Sequence, residues 1–271
     1  MKLGIVSDEV SQDLNTASEW AVERGIRRFE LRHVWGKRLP DVTKEELREI
    51  KFMLDGYGIA VTGISPGTFK CTLYDGALSR QTDRLLRTME AAEYLGTGKI
   101  ISFGVKKSPE DQPGDEKRVL ELLSDFCRKA KENNFTICLE NEPGFFNGLP
   151  DEIEAVHRAL APLGGKLNWD MGNLFMSGFS KYKEHYERFK PYIGSVHMKD
   201  YRLSDGVCVP IGEGCIDWKG QIEDLIRDDL HLNGAECDMN IETHCSPEYE
   251  QAGRCFSFIK QTMGERLNEL L

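Results

Sequence analysis

The chain has 271 residues, 40% of them hydrophobic, which is enough to bury a full core without disulfide staples. A net charge of -10 with a pI near 5.2 argues against nucleic acid as partner, because that affinity comes largely from Lys and Arg on phosphates. No apolar run approaches membrane length, and Met1-Lys2-Leu3-Gly4-Ile5-Val6 reads as a first strand rather than a signal peptide, so the expectation is a soluble, cytoplasmic protein with no membrane partner.

Strand-like and helix-like segments alternate along the chain. Lys2 to Ser7 is a short apolar run, and Asn15 to Arg24 follows with Ala17, Trp20 and Ala21 at helical spacing. Arg28 to Leu31 is the second strand. Thr43 predicts a helix N-cap with Glu46 as its capping-box partner, and the helix stops at Gly56 or Gly58. Ile59 to Ile64 is strand three, and Leu78 to Leu95 is an amphipathic helix with Leu85, Met89, Ala92 and Leu95 on one face. Strand four is Lys99 to Phe103; helix four, Asp115 to Asn133, turns Val119, Leu122, Leu123 and Phe126 inward. Strand five is Thr136 to Leu139, and helix five starts after Pro150 and runs to about Leu160. Strand six is Leu167 to Trp169, helix six Lys181 to Phe189, strand seven Ile193 to His197 and helix seven Trp218 to Asp228. Strand eight is Met239 to Ile241, and Tyr249 to Leu270 is the closing helix. Eight such units without a linker or composition break predict an α/β fold, a single (β/α)8 barrel over residues 1–271; a doubly wound open sheet is the alternative.

Eight cysteines occur without a CxxC pair, and several, such as Cys138 and Cys237, lie beside or inside apolar runs. They read as reduced, mostly buried residues rather than zinc ligands. His157, His185 and His231 fall on helices or their ends and are expected at the surface.

Four segments end a strand with a potential metal ligand: ICLENEPG at Glu140, KLNWDMGN at Asp170, SVHMKD at His197 and MNIETH at Glu242. In a parallel barrel such groups gather at the C-terminal ends of the strands. Three carboxylates and one imidazole suit one divalent ion: Mn2+, Mg2+, Co2+ or Zn2+. Taken singly, a strand-end acid also reads as a helix N-cap, and His197 as a core histidine.

LEN at Leu139 to Asn141, WDMGN at Trp169 to Asn173, HMKD at His197 to Asp200, IGEGCIDW at Ile211 to Trp218, IET at Ile241 to Thr243 and FELR at Phe29 to Arg32 together resemble the xylose-isomerase-like TIM-barrel superfamily, in its sugar isomerase/epimerase branch. The resemblance implies a single divalent ion held by Glu140, Asp170, His197 and Glu242. It also implies that Glu140 and Glu242 act as an acid/base pair on a keto-sugar or polyol, through an enediolate. Homo-oligomers are common in the family and are expected by resemblance only. Two positions depart from the ketose 3-epimerase pattern: Asn173 stands where some members have His, and Leu203 where they have Arg. The HxKD form is similar to members that include inosose dehydratases, so a lyase acting on an inosose or dehydroshikimate-like keto-polyol stays open. In it, Lys199 or His33 serves a departing hydroxyl. An endonuclease IV-like activity is the remote alternative, disfavoured by the acidic charge and too few histidines.

Around the four ligands, His33, Glu142, Asn173, Asp200 and Glu213 are candidates for substrate contact. Each has a plainer alternative: Glu142 as a cap of helix five, Lys199 in a salt bridge with Asp200 or Glu213, and Gly212-Glu213-Gly214 as a tight turn. His244 follows Glu242 closely enough to orient it, and Trp35 and Phe69 either wall the site or pack over the barrel top. No Lys or Arg lies between Leu203 and Trp218, which favours an unphosphorylated substrate.

Overall fold

Eight short strands close into a barrel in the computed structural model, which describes residues 1–271. They are β1 Lys2–Val6, β2 Arg28–Leu31, β3 Ala60–Ile64, β4 Lys99–Phe103, β5 Thr136–Glu140, β6 Lys166–Asp170, β7 Ile193–Met198 and β8 Asp238–Ile241. Their order around the barrel follows the chain, with β8 returning to β1, and the strands run parallel. Nearly every strand residue is buried, as expected where helices cover a parallel sheet from outside and side chains fill it from inside.

Ten α-helices are interleaved with the strands: α1 Leu14–Glu23, α2 Lys44–Tyr57, α3 Gln81–Leu95, α4 Asp115–Glu132, α5 Pro150–Leu160, α6 Met171–Met176, α7 Tyr182–Phe189, α8 Trp218–Asp228, α9 Glu248–Met263 and α10 Leu267–Leu270. Local chemistry sets their ends. Asp13 caps α1 through Thr16 N, and Thr43 and Glu46 form the expected capping box on α2, which Gly58 ends in the left-handed region at φ 64°. The closing helix is broken at Gly264 rather than continuous to Leu270, and α6 has no counterpart in the sequence reading.

Contacts group the chain into two compact units, Met1–Thr62 with Gly194–Leu271, and Gly63–Ile193. In the first, β1 sits between β8 and β2, with Gly4 opposite Asn240 and Val6 opposite Glu30, and β8 pairs with β7. Trp20 of α1 packs edge-on to Phe256 of α9. In the second, β4, β5 and β6 pair in register, and Phe69, Leu85, Met89, Leu123 and Phe126 pack into one apolar cluster. The Phe69 and Phe126 rings meet at 4.7 Å, an edge contact of about 1 kcal/mol beyond area burial. Phe69 is therefore core.

Six cysteines are buried and none is bonded to another; Cys208 is half-buried and Cys215 exposed. His157 and His185 are buried, against the surface expectation, while His231 is exposed. The His157 imidazole lies inside α5 with Nδ1 at 2.8 Å from Ile153 O, and burial pushes its pKa down to about 4. No helix is long and apolar enough to cross a membrane.

Candidate metal centre

Glu140 ends β5, Asp170 ends β6, His197 is in β7, and Glu242 follows β8. All four are buried, and one ligand atom from each lies within 4.8 Å of the others. Hard oxygen donors plus one imidazole, crowded together away from water, are the donor set of a divalent cation site. The residues around each ligand support the same use.

In Met1–Thr62 with Gly194–Leu271, His197 carries its orientation from β2. Glu30 Oε2 accepts from His197 Nε2 at 2.9 Å and from Asn240 Nδ2 at 3.1 Å. With Nε2 turned to Glu30, Nδ1 is the nitrogen left to face a metal, the arrangement that tunes histidine ligands generally. Nδ1 faces Glu242 Oε2 at 2.8 Å, and Lys199 Nζ reaches the same oxygen at 2.8 Å. The other oxygen of Glu242 accepts from Arg32 Nη1 at 2.6 Å. Burial alone raises a carboxyl pKa, but the charges of His197, Lys199 and His244 hold Glu242 well below the usual range.

Arg32 joins the cluster to the end of β1. Its Nε donates to Asp8 at 3.0 Å and its Nη2 to Glu9 at 2.5 Å. Glu9 also accepts from Thr243 Oγ1 and from the backbone N of His244, whose Nδ1 is 3.1 Å from Glu9 Oε1. Burial opposes ionisation of Glu9, yet the His244 hydrogen bond and Arg32 charge lower its pKa to about 2. His244 itself is shifted upward: burial works against its charge, and Glu242 and Glu9 outweigh that.

In Gly63–Ile193, asparagines do the positioning. Asn173 Nδ2 donates to Glu140 Oε1 at 2.9 Å, while its backbone N donates to Asp170 Oδ1 at 2.8 Å. Asp170 is thus both a ligand candidate and the N-cap of α6. Asn141 bonds the backbone of Asp170 in both directions, and Asn147 Nδ2 donates to Glu140 O at 2.9 Å. Gly104 makes room for Asn147: a Cβ there would lie 1.9 Å from its Oδ1.

The remaining sequence candidates fall differently. Asp200 was expected to touch substrate, but its carboxylate is given to the following loop. It accepts from the backbone N–H groups of Tyr201, Gly212, Gly214 and Ile216 at 2.9 to 3.1 Å. Gly214 is required there, since its Cβ would lie 2.1 Å from Asp200 Oδ1. Glu213 is exposed and pairs with Arg254. Asn173 Nδ2 is turned to Glu140. Lys199 pairs with Glu242. Glu142 does not cap α5, a task done by Glu152 on Leu149 N, and pairs with Lys70 at 3.1 Å. His33 is half-buried with Nδ1 at 3.0 Å from Asp8.

Sequence reasoning missed Asp8, Glu9 and Glu30, and named Arg32 without a role. Asp8 and Glu9 lie in the turn just past β1, so the strand-end rule that picked out the four candidate ligands reaches them too. Glu30 is a fully buried acid between Phe29 and Leu31 in an apolar strand, and a buried charge asks for a partner.

A family model described as xylose isomerase-like TIM barrel matches residues 18–260. The sequence matches no curated protein. Among solved structures, the chain is similar to the probable 3-DHS dehydratase AsbF of Bacillus anthracis, at 17% identity and a TM-score of 0.78, over 96% of this chain and 99% of that one. It is also similar to the IOLI protein with a bound zinc atom, at 15% identity and TM-score 0.76, over 100% and 99%. The D-allulose 3-epimerase from Methylomonas sp. in complex with D-allulose gives 15% and 0.76, over 97% of each chain. At these identities the likeness is one of fold.

Proposed function

The chain belongs to the xylose isomerase-like TIM barrel family, and we propose that it is a divalent-metal-dependent sugar isomerase or epimerase acting on an unphosphorylated keto-sugar or polyol. The observation that carries the reading is the buried set of Glu140, Asp170, His197 and Glu242, with ligand atoms within 4.8 Å of one another. The same reading takes residues 1–271 as one barrel domain, because all eight strands belong to one closed sheet.

The donor set fits a single ion, and a divalent cation bound there supplies Lewis-acid stabilisation of charge on a substrate oxygen. The protein's own groups do the proton work. One of the two glutamates removes the proton beside the substrate carbonyl, and the other returns one to the enediolate. Return to the opposite face inverts the carbon; return to its neighbour isomerises the sugar. Asn173 keeps Glu140 in place, Arg32 keeps Glu242 in place, and Glu30 fixes the His197 tautomer.

The loop favours an unphosphorylated substrate. The backbone N–H groups of Gly212 and Gly214, which a phosphate would need, already donate to Asp200. A second reading, dehydration of an inosose or dehydroshikimate-like keto-polyol, is favoured by Lys199. It is a buried ammonium 2.8 Å from Glu242, suited to protonating a departing hydroxyl.

The test is metal content of the purified protein beside that of a Glu140→Ala/Asp170→Ala double variant, followed by a mass-spectrometric screen against keto-sugars and inososes. One ion per chain, lost in the variant, with product of unchanged mass is the expected result. Loss of one water from the product moves the assignment to the dehydratase. No ion after reloading with Mn2+, Co2+ or Zn2+ ends the reading.

A further inference from the structure

A second group of metal-ligating side chains lies within Met1–Thr62 and Gly194–Leu271. Glu9, Glu242 and His244 each offer a ligand atom within 4.8 Å of the others. Asp8 joins them through Arg32, whose Nε, Nη2 and Nη1 reach Asp8, Glu9 and Glu242 at 3.0, 2.5 and 2.6 Å. His244 completes the ring, with Nδ1 at 3.1 Å from Glu9 Oε1 and Nε2 at 3.6 Å from Glu242 Oε1. Two carboxylates and one imidazole are the same donor types as in the centre described above, with a third carboxylate, Asp8, on the far side of the guanidinium contact. Here the positive charge among them is a guanidinium.

We infer that Arg32 stands in the place of a second cation and restricts the centre to one divalent ion. The inference rests on the proposed function for that first ion. Glu242 is the residue common to both groups, and its oxygens are divided between them: Oε1 is held by Arg32, and Oε2 faces His197 and Lys199. A second divalent ion would need Glu242 Oε1 and the nearest Glu9 oxygen together with His244, and the guanidinium already holds those two oxygens. Lysine would supply the charge as one point, whereas the arginine fork engages three carboxylates with separate N–H groups. Arg32 is thus a positioning residue, acting on the chemistry through Glu242. It also separates this site from paired-ion centres, where two metals clamp attacking and leaving oxygens. A single ion beside a fixed guanidinium suits proton transfer next to a carbonyl.

The test counts Co2+ per chain after stripping and reloading, in the native protein, Arg32→Ala, Arg32→Lys and Arg32→Ala/His244→Ala. Arg32→Ala is expected to hold one ion more than the native protein, with the increment lost in the double variant and absent in Arg32→Lys. The visible Co2+ spectrum should gain a second component in Arg32→Ala alone. The native count tests the proposed function; the increment tests the role of Arg32 whatever that count is. A folded Arg32→Ala protein with the native ion number overturns the inference. If Arg32→Ala is unfolded without metal, its melting is followed against Co2+. Recovery of a cooperative transition that disappears in Arg32→Ala/Glu9→Gln supports the inference, and no response to Co2+ overturns it.

Discussion

Glu242 illustrates how one carboxylate is shared among duties. One oxygen is anchored by Arg32, and the other meets His197 and Lys199. Glu242→Gln keeps the shape but cannot act as a base, so turnover should fall by about 10²–10⁴-fold. The variant also leaves Arg32, Lys199 and His244 short of a counter-charge, so it should melt lower while remaining folded by circular dichroism. Undiminished turnover in it would sink the two-glutamate mechanism. Glu30 acts one step further out, through Nε2 of His197. Glu30→Gln should weaken metal binding by about 10–100-fold, read by titration against a chelator, while a native affinity would show that the hydrogen bond is dispensable. The four candidate ligands were legible because each lies at or beside the end of an apolar strand. Glu30 was not, because alternation within Phe29-Glu30-Leu31 says which side a residue faces and not what it meets there.

Elements were legible where their ends carry specific chemistry. The Thr43/Glu46 box and the glycine stop of α2 fell where the pattern placed them. Helix α6 escaped because its six residues include Gly172 and follow the strand without a break, and the residue that starts it, Asp170, was already read as a ligand. The loop after β7 reads as a glycine turn, but its shape comes from Asp200, one carboxylate accepting four backbone N–H groups. Asp200→Ala should leave those donors without their acceptor, lowering stability by about 1–3 kcal/mol. Hydrogen exchange should quicken between residues 211 and 217; unchanged protection would mean that the loop holds its own shape. Helix α5 carries a pH dependence. Buried His157 has its pKa lowered from 6.5 to about 4, so the unfolded chain takes up the proton first as pH falls. Its contribution is complete above about pH 6.5 and is lost toward pH 4, a change of about 3 kcal/mol. His157→Gln should flatten the stability curve in that window relative to the native protein, and identical curves would remove the assignment.

For the whole molecule, the alternation of eight apolar runs with eight helical ones pointed to a parallel sheet covered on both faces and favoured the barrel over a doubly wound sheet, and the structure closes it. What alternation leaves open is the cost of the site the barrel builds. Buried carboxylates at the ends of β5 and β6 and after β8 repel one another in a low-dielectric interior, and only part of that is offset by Arg32 and Lys199. A ligand that binds the folded chain and not the unfolded one raises stability by mass action. An ion at a hundred times its dissociation constant contributes about 2.7 kcal/mol. For a chain of this size that is roughly 5–10 °C in melting temperature. Stripped protein should therefore melt lower than protein reloaded with Mn2+ or Co2+, with the increment growing as the logarithm of ion concentration. The Glu140→Ala/Asp170→Ala variant should lose the increment, whatever its own melting temperature: two of the repelling charges are gone, but so are the cap of α6 and the acceptor of Asn173. A melting temperature indifferent to divalent ions in the native protein would mean that the four groups answer to one another alone, with Arg32 and Lys199 as their permanent counter-charges.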